Sequence, residues 1–409
     1  MYMRGFADEM TAMSTIQVSP SRRAIANPLA RVFMVQSISS ITAVLLGSGI
    51  FFYTHKRFGW GPAQNLLLCG AQGVVYVVGA LLASPISARI GRHKLLRCLH
   101  AALAPTALLV GLSVNQAMAV AFVLLYSILS AAQWPALESL VSLGASAGQL
   151  SRRISLYNVI WSGLGALTLA ATGSLIEYLP RGTFALAGLG SAVSVLLLWG
   201  RSDPAEIPAA AAQPEPQLLH RRKLAMQLSR LSLPATYAAQ NALAALMPTL
   251  AVIRQFPLQL RTIVASVWMI ARWVTFLLLG MTAWWHTRPR LLLVAAVAQF
   301  FAFLAIVLIP SPLQMILWQM LLGAAVGLIY AGSLYFGMVL SDGSTEHGGY
   351  HEALIGLGSV IGPGSGAIAL CLRPDNPVIG PATIGVVLLL SVFAAAVVSV
   401  RSPVRSGGS

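Results

Sequence analysis

The chain has 409 residues, 57% of them hydrophobic and only 9% charged, with a mean hydropathy of +0.78 and a net charge of +15. A soluble domain carries about 25% charged residues, so a soluble fold is excluded. The basic excess does not mark a nucleic-acid binder either, because its cations lie between apolar runs of membrane-crossing length.

Residues 1–31 hold no apolar core of the kind a secretory signal needs, and read as a cytoplasmic tail that is not cleaved. Twelve apolar runs follow. The first six lie near 33–54, 64–86, 96–114, 116–140, 155–177 and 183–200, and the second six near 233–253, 262–285, 290–309, 313–340, 350–372 and 378–400. Between the sets lies a Pro- and Ala-rich stretch that turns basic. From Leu218 onward, Leu224, Leu228 and Leu231 recur at helical spacing beside Arg221, Arg222 and Lys223, which predicts a helix lying on the membrane surface. The expected plan is therefore a tail (1–31), a six-helix bundle (32–200), a cytoplasmic linker (201–232), a second six-helix bundle (233–400) and a short C-terminal tail (401–409). Cys69, Cys98 and Cys371 sit in or beside apolar runs without metal-ligand spacing, and read as small core residues.

The cations orient this plan. With the N-terminus in the cytoplasm, nineteen of the 26 Lys and Arg residues fall on that side and six on the other, and Arg272 belongs to neither. The positive-inside bias then places both termini in the cytoplasm. Arg-rich loops and Ala-rich spans suggest a bacterial inner membrane.

The two halves also repeat. SGLGALTLAATG (162–173) in the fifth span aligns with IGLGSVIGPGSG (355–366) in the eleventh, and Tyr157 then matches Tyr350. Between spans two and three lies Ser84-Pro-Ile-Ser-Ala88-Arg89-Ile-Gly91-Arg92-His93-Lys94. This resembles the major facilitator superfamily, whose loop between those helices reads G-x-x-x-D-R/K-x-G-R-R/K. Arg89, Gly91 and Arg92 match; Ser84 and Ala88 replace the first Gly and the Asp. The resemblance runs from the first span to the twelfth. It implies an all-α membrane protein of twelve helices in two pseudo-symmetric six-helix bundles.

It also implies a cytoplasmic gate. In the family the loop arginine pairs with an acid low in the fourth helix. Glu138 is the matching acid here and Arg92 its expected partner, while Glu352, at the start of span eleven, is placed to receive Arg89. The alternative is that these arginines only anchor lipid phosphates. Gly91 supplies the tight turn. Of the eleven acids only Glu138 and Glu352 fall within spans, and neither is near a helix midpoint, so no midplane carboxylate relay is visible. His351 and Glu352 are adjacent, hence about 100° apart on a helix. They read either as a helix cap or as a protonation switch. IGPGSG (361–366) reads either as backbone opened toward a cavity or as close helix packing.

By the same resemblance, helices one, four, seven and ten line a central path. Gln36, Tyr126, Gln240, Asn241 and Tyr330 are the candidate substrate contacts there; each is equally suited to an interhelical hydrogen bond. Arg272 lies about 15 Å of helix from the nearer end of span eight, too deep for its side chain to reach an interface. Trp268, one turn earlier, can stack on it. Arg272 is expected either to meet an anionic or strongly polar substrate group, or to be a structural arginine satisfied by carbonyls. No nucleophile–base set, phosphate loop or metal-ligand spacing is present, so neither enzyme activity nor a cofactor is expected. The leading reading is a monomeric secondary transporter of a small organic solute, working in the lipid bilayer by rocking-bundle alternating access. The alternatives are a non-transporting sensor or assembly partner, and a lipid transporter.

Overall fold

In hydrocarbon every backbone N–H and C=O must be satisfied within the chain, so each apolar run becomes a helix. The computed structural model describes residues 28–145, 147–201, 216–340 and 345–401; residues 1–27 and 402–409 of the expected tails and residues 202–215 of the expected linker lie outside them. The first half comprises α1 (Pro28–Gly47), α2 (Gly49–Phe58), α3 (Pro62–Ile90), α4 (Arg92–Leu112), α5 (Gln116–Ser142), α6 (Ala147–Tyr178) and α7 (Gly182–Leu198). The second comprises α8 (Pro216–Leu246), α9 (Ala251–Arg254), α10 (Leu258–Ala265), α11 (Val267–Gly280), α12 (Arg290–Leu308), α13 (Pro312–Leu340), α14 (Thr345–Leu372) and α15 (Ile379–Arg401). Helices α1 and α2 form the first span, broken at Ser48, and α10 and α11 form the eighth.

Among the described residues, ten helical paths are long and apolar enough to cross a bilayer. Helix α7 has 17 residues, and α8 is longer but opens with His220, Arg221, Arg222 and Lys223. Helix α8 also corrects the expected surface helix. It runs unbroken from Pro216 into the seventh span, and Leu224 and Leu228 are buried in a core shared with Leu292 and Trp285. Leu224 and Leu228 pack on protein rather than on headgroups, while Leu231 is exposed, and the described helix of the seventh span extends back to Pro216.

The halves meet along two seams. One is α3 against α14, the other α6 against α10 and α11. Glycines let the first seam close: a Cβ on Gly73 would stand 2.7 Å from Ser359 Cβ, and one on Gly356 would stand 2.8 Å from Val77 Cγ2. The IGPGSG stretch serves packing as well. Helix α14 continues through Pro363, and a Cβ on Gly362 would come within 2.4 Å of Ala238.

The basic loop does local work beyond topology. Gly91 makes the one-residue turn between α3 and α4 at φ +86°, a conformation that favours glycine. Arg97 donates to the carbonyls of Leu198 and Arg201, at the C-terminus of α7, and Arg153 to those of Val141 and Leu143, at the C-terminus of α5. Cations at helix C-termini complement the helix dipole and the unpaired last carbonyls.

Candidate functional site: an aromatic cavity between the halves

A cavity of about 210 Å³ lies between the halves. Seven aromatic side chains stand in its wall: Tyr76, Tyr126, Trp134, Tyr157, Trp161, Tyr237 and Tyr330. Trp161 and Tyr330 face each other with ring centroids 5.1 Å apart, and Tyr237 stands 6.3 Å from Tyr330. Polar edges alternate with these rings. Gln72 donates to Ser127 Oγ at 3.1 Å, and Asn241 donates to Ser359 Oγ. Among the described residues no Lys or Arg lines the cavity, and Glu352 is the one carboxyl on its wall.

Three expected contacts, Tyr126, Asn241 and Tyr330, line this wall; the other four stand behind it. Gln36 is fully buried and donates to the Tyr157 carbonyl at 2.8 Å. Arg272 is 2% exposed and occupied by protein. Its Nε donates to Ser162 Oγ and its Nη1 to Gln240 Oε1, both at 3.2 Å. The guanidinium lies between two indoles, 4.2 Å from the Trp161 centroid and 4.9 Å from that of Trp268. Trp268 therefore stacks as its spacing predicts, and Trp161 closes the other face from across the halves. The expected exposure of Arg272 to a substrate group is corrected here: two neutral acceptors and two π-faces already hold it.

The gate also differs from expectation. Arg89 is exposed, whereas Glu352 is 3% exposed and accepts a hydrogen bond from Tyr76 at 2.5 Å. Glu138 is 2% exposed, and no hydrogen-bond donor reaches either of its carboxylate oxygens, so the pairing with Arg92 is not made. The ion pair found among the described residues is Lys56 with Glu177, at 2.6 Å near the opposite end. Glu138 instead comes up to the first turns of α14. Its Oε2 stands 2.9 Å from where a Cβ on Gly348 would be, and it shares a cluster with His351 and Glu352. Since α14 begins at Thr345, those two residues are not a helix cap. One ligand atom from each of the three lies within 4.8 Å of the others. Among the described residues this is the cluster of side chains able to hold a cation.

Sequence reasoning missed Tyr76, Gln72 and Tyr237 on the wall, and His100, which is buried beside Ser39 and Gln133. The available signal was a lone polar group within an apolar run, as in VVYVV around Tyr76.

Two helical halves packed around a cavity at their shared seam are the architecture of a secondary membrane transporter. The chain belongs to the Major Facilitator Superfamily, whose family model matches residues 29–363. Among solved structures it is similar to the nucleoside transporter NupG, with a TM-score of 0.65 and 13% identity, covering 91% of this chain and 99% of that one. An aspartate-to-alanine mutant of NupG is similar at a TM-score of 0.66 and 14% identity, covering 91% of this chain and all of that one. No curated protein matches by sequence.

Proposed function

We propose that this protein carries a small, flat, uncharged organic solute across the membrane by rocking its two halves about the central cavity. The observation that supports the substrate class is the wall itself: stacking surfaces interrupted by Ser, Asn and Gln edges, with no cation to hold an anion. An anionic substrate, expected from Arg272, loses its partner once that guanidinium is enclosed by Ser162, Gln240 and two indoles. The volume, about 210 Å³, is below the roughly 300–1,000 Å³ of drug-sized pockets and suits a small metabolite. Nucleosides, the solutes named for the NupG structures, are of this chemical kind and head the panel to be tested. The cation count supports a cytoplasmic position for the Glu138 end. The contact residues in this reading are Tyr126, Asn241 and Tyr330, joined by Tyr76, Tyr237 and Trp161.

The test is uptake by proteoliposomes of nucleosides, nucleobases and size-matched organic anions. Saturable uptake of the uncharged class is expected, with KM raised about 10-fold or more in Asn241→Ala and Tyr330→Ala, the loss of a stacking face or hydrogen bond worth about 1–2 kcal/mol. Uptake confined to anions would overturn the substrate class. No uptake of any solute would favour a sensor or assembly partner.

A further inference from the structure

The geometry points to Glu138, His351 and Glu352 as a binding site for one divalent transition-metal cation, assembled only when the two halves meet at this end. Glu138 comes from the first half, on α5; His351 and Glu352 come from the second, on α14. All three are buried, at 2–3% exposure. Their ligand atoms lie within 4.8 Å of one another. Donors on a transition metal stand about 3–3.5 Å apart, given bonds of about 2.0–2.2 Å, so side-chain shifts of about 1 Å close the set.

A second observation points to a ligand rather than to a chance meeting of acids. Both oxygens of Glu138 and Nε2 of His351 are buried without a hydrogen-bond partner. Such atoms are costly in hydrocarbon, where no water can satisfy them. The remaining atoms of the cluster are held from outside, as the outer shell of a metal site holds its ligands. Tyr76 donates to Glu352 Oε2, and Ser333 Oγ lies 3.0 Å from His351 Nδ1, leaving Nε2 for the metal. The Tyr330 ring walls the histidine at 5.1 Å. The nearby Arg230 is engaged with His347, at 2.8 Å, and not with the carboxylates.

The donor set selects the ion. Two carboxylates and one imidazole suit Mn²⁺, Fe²⁺, Co²⁺ or Zn²⁺, whereas Mg²⁺ and Ca²⁺ favour all-oxygen sites. A dication also neutralises both carboxylates, which lack a cationic partner within the membrane. A proton shared between the carboxyls satisfies Glu138 and Glu352 but leaves His351 Nε2 with nothing, and that nitrogen decides for the metal. Glu352 lines the central cavity, which gives the ion its route of entry. Because its ligands come from both halves, the bound ion favours the state closed at this end. Only this consequence rests on the proposed alternation; binding itself does not.

The experiment titrates the purified full-length protein in lipid nanodiscs with Co²⁺, followed by its visible absorption, and with Mn²⁺, followed by electron paramagnetic resonance. One site per chain is expected, with nitrogen hyperfine coupling that His351→Asn removes. Glu138→Gln and Glu352→Gln are expected to weaken binding about 100-fold or more, and Tyr76→Phe and Ser333→Ala about 10-fold. If a ligand variant does not fold, the titration of the unsubstituted protein and of Tyr76→Phe still decides. No stoichiometric site, or equal affinity in all folded variants, overturns the proposal. So does closure at this end that follows pH and is indifferent to metal, which assigns the cluster to a proton. Solute uptake is measured separately, so loss of the metal site and loss of transport are told apart.

Discussion

Buried charge appears twice where the halves meet, and the two places are built in opposite ways. At Arg272 the protein supplies everything: Ser162 and Trp161 from the first half, Gln240 and Trp268 from the second. At Glu138, His351 and Glu352 it supplies too little, and both oxygens of Glu138 and Nε2 of His351 are left without a hydrogen-bond partner. A satisfied buried charge is a tie between the halves, and under the proposed rocking motion it would serve as their pivot. An unsatisfied cluster at one end is incomplete by itself, which is the condition of a binding site or gate. Natural proteins tolerate such local cost mainly where function needs it.

The sharpest way to break this contrast is to remove the tie. Arg272→Ala empties the space between two indoles and strands Gln240 and Ser162. We expect a loss of about 3–5 kcal/mol, measured by denaturant unfolding in mixed micelles. Next in size is Gly323→Ala. A Cβ there would stand 2.1 Å from the Trp268 carbonyl and 2.9 Å from the Arg272 amide nitrogen. Helices α11 and α13 must then part, at about 1–3 kcal/mol by the same measurement. At the other site the sign reverses. In metal-free protein Glu138→Gln puts an amide donor among acceptors and removes a buried charge. It is expected to stabilise by about 1 kcal/mol while impairing transport, the usual trade at a functional position. Destabilisation by Glu138→Gln would show that the cluster is a structural tie as well.

Span positions were legible because hydropathy over some twenty residues is a strong signal, and helix ends fall within a few residues of the expected limits for most spans. Helix α8 was misjudged because Leu224 and Leu228 beside three cations look the same whether the stripe meets lipid or protein. Trp268 against Arg272 was readable from its four-residue spacing; Trp161 and Ser162, from the other half, were not. The acid cluster was hidden for the same reason. Glu138 and Glu352 stood out as acids within spans, but each was matched to a nearby arginine because sequence gives no sign that α5 and α14 bring them together.

The smallest effect concerns pH and lies outside the spans. His286, in the turn after α11, stacks on Tyr335 at 4.1 Å. Burial, with Arg222 beside it, pushes its imidazole down from 6.5 to about 4. Between those values the unfolded chain holds the proton and the folded one does not. Stability therefore falls as pH drops from 6.5 toward 4, and His286→Gln is expected to flatten that slope in melting curves taken across the window.

The most direct measurement reads stability and transport together in two variants. Purified Glu138→Gln and Arg272→Lys are compared with the unsubstituted protein for unfolding free energy and for proteoliposome uptake per folded molecule. Lysine keeps the charge of Arg272 but not its fork or its stacking. In the absence of metal, Glu138→Gln is expected to be at least as stable as the native protein, and it is expected to lose most of its uptake. Arg272→Lys is expected to be less stable, with its folded fraction retaining the native KM. Native uptake by Glu138→Gln, or a changed KM in folded Arg272→Lys, would contradict the assignment of pivot and gate.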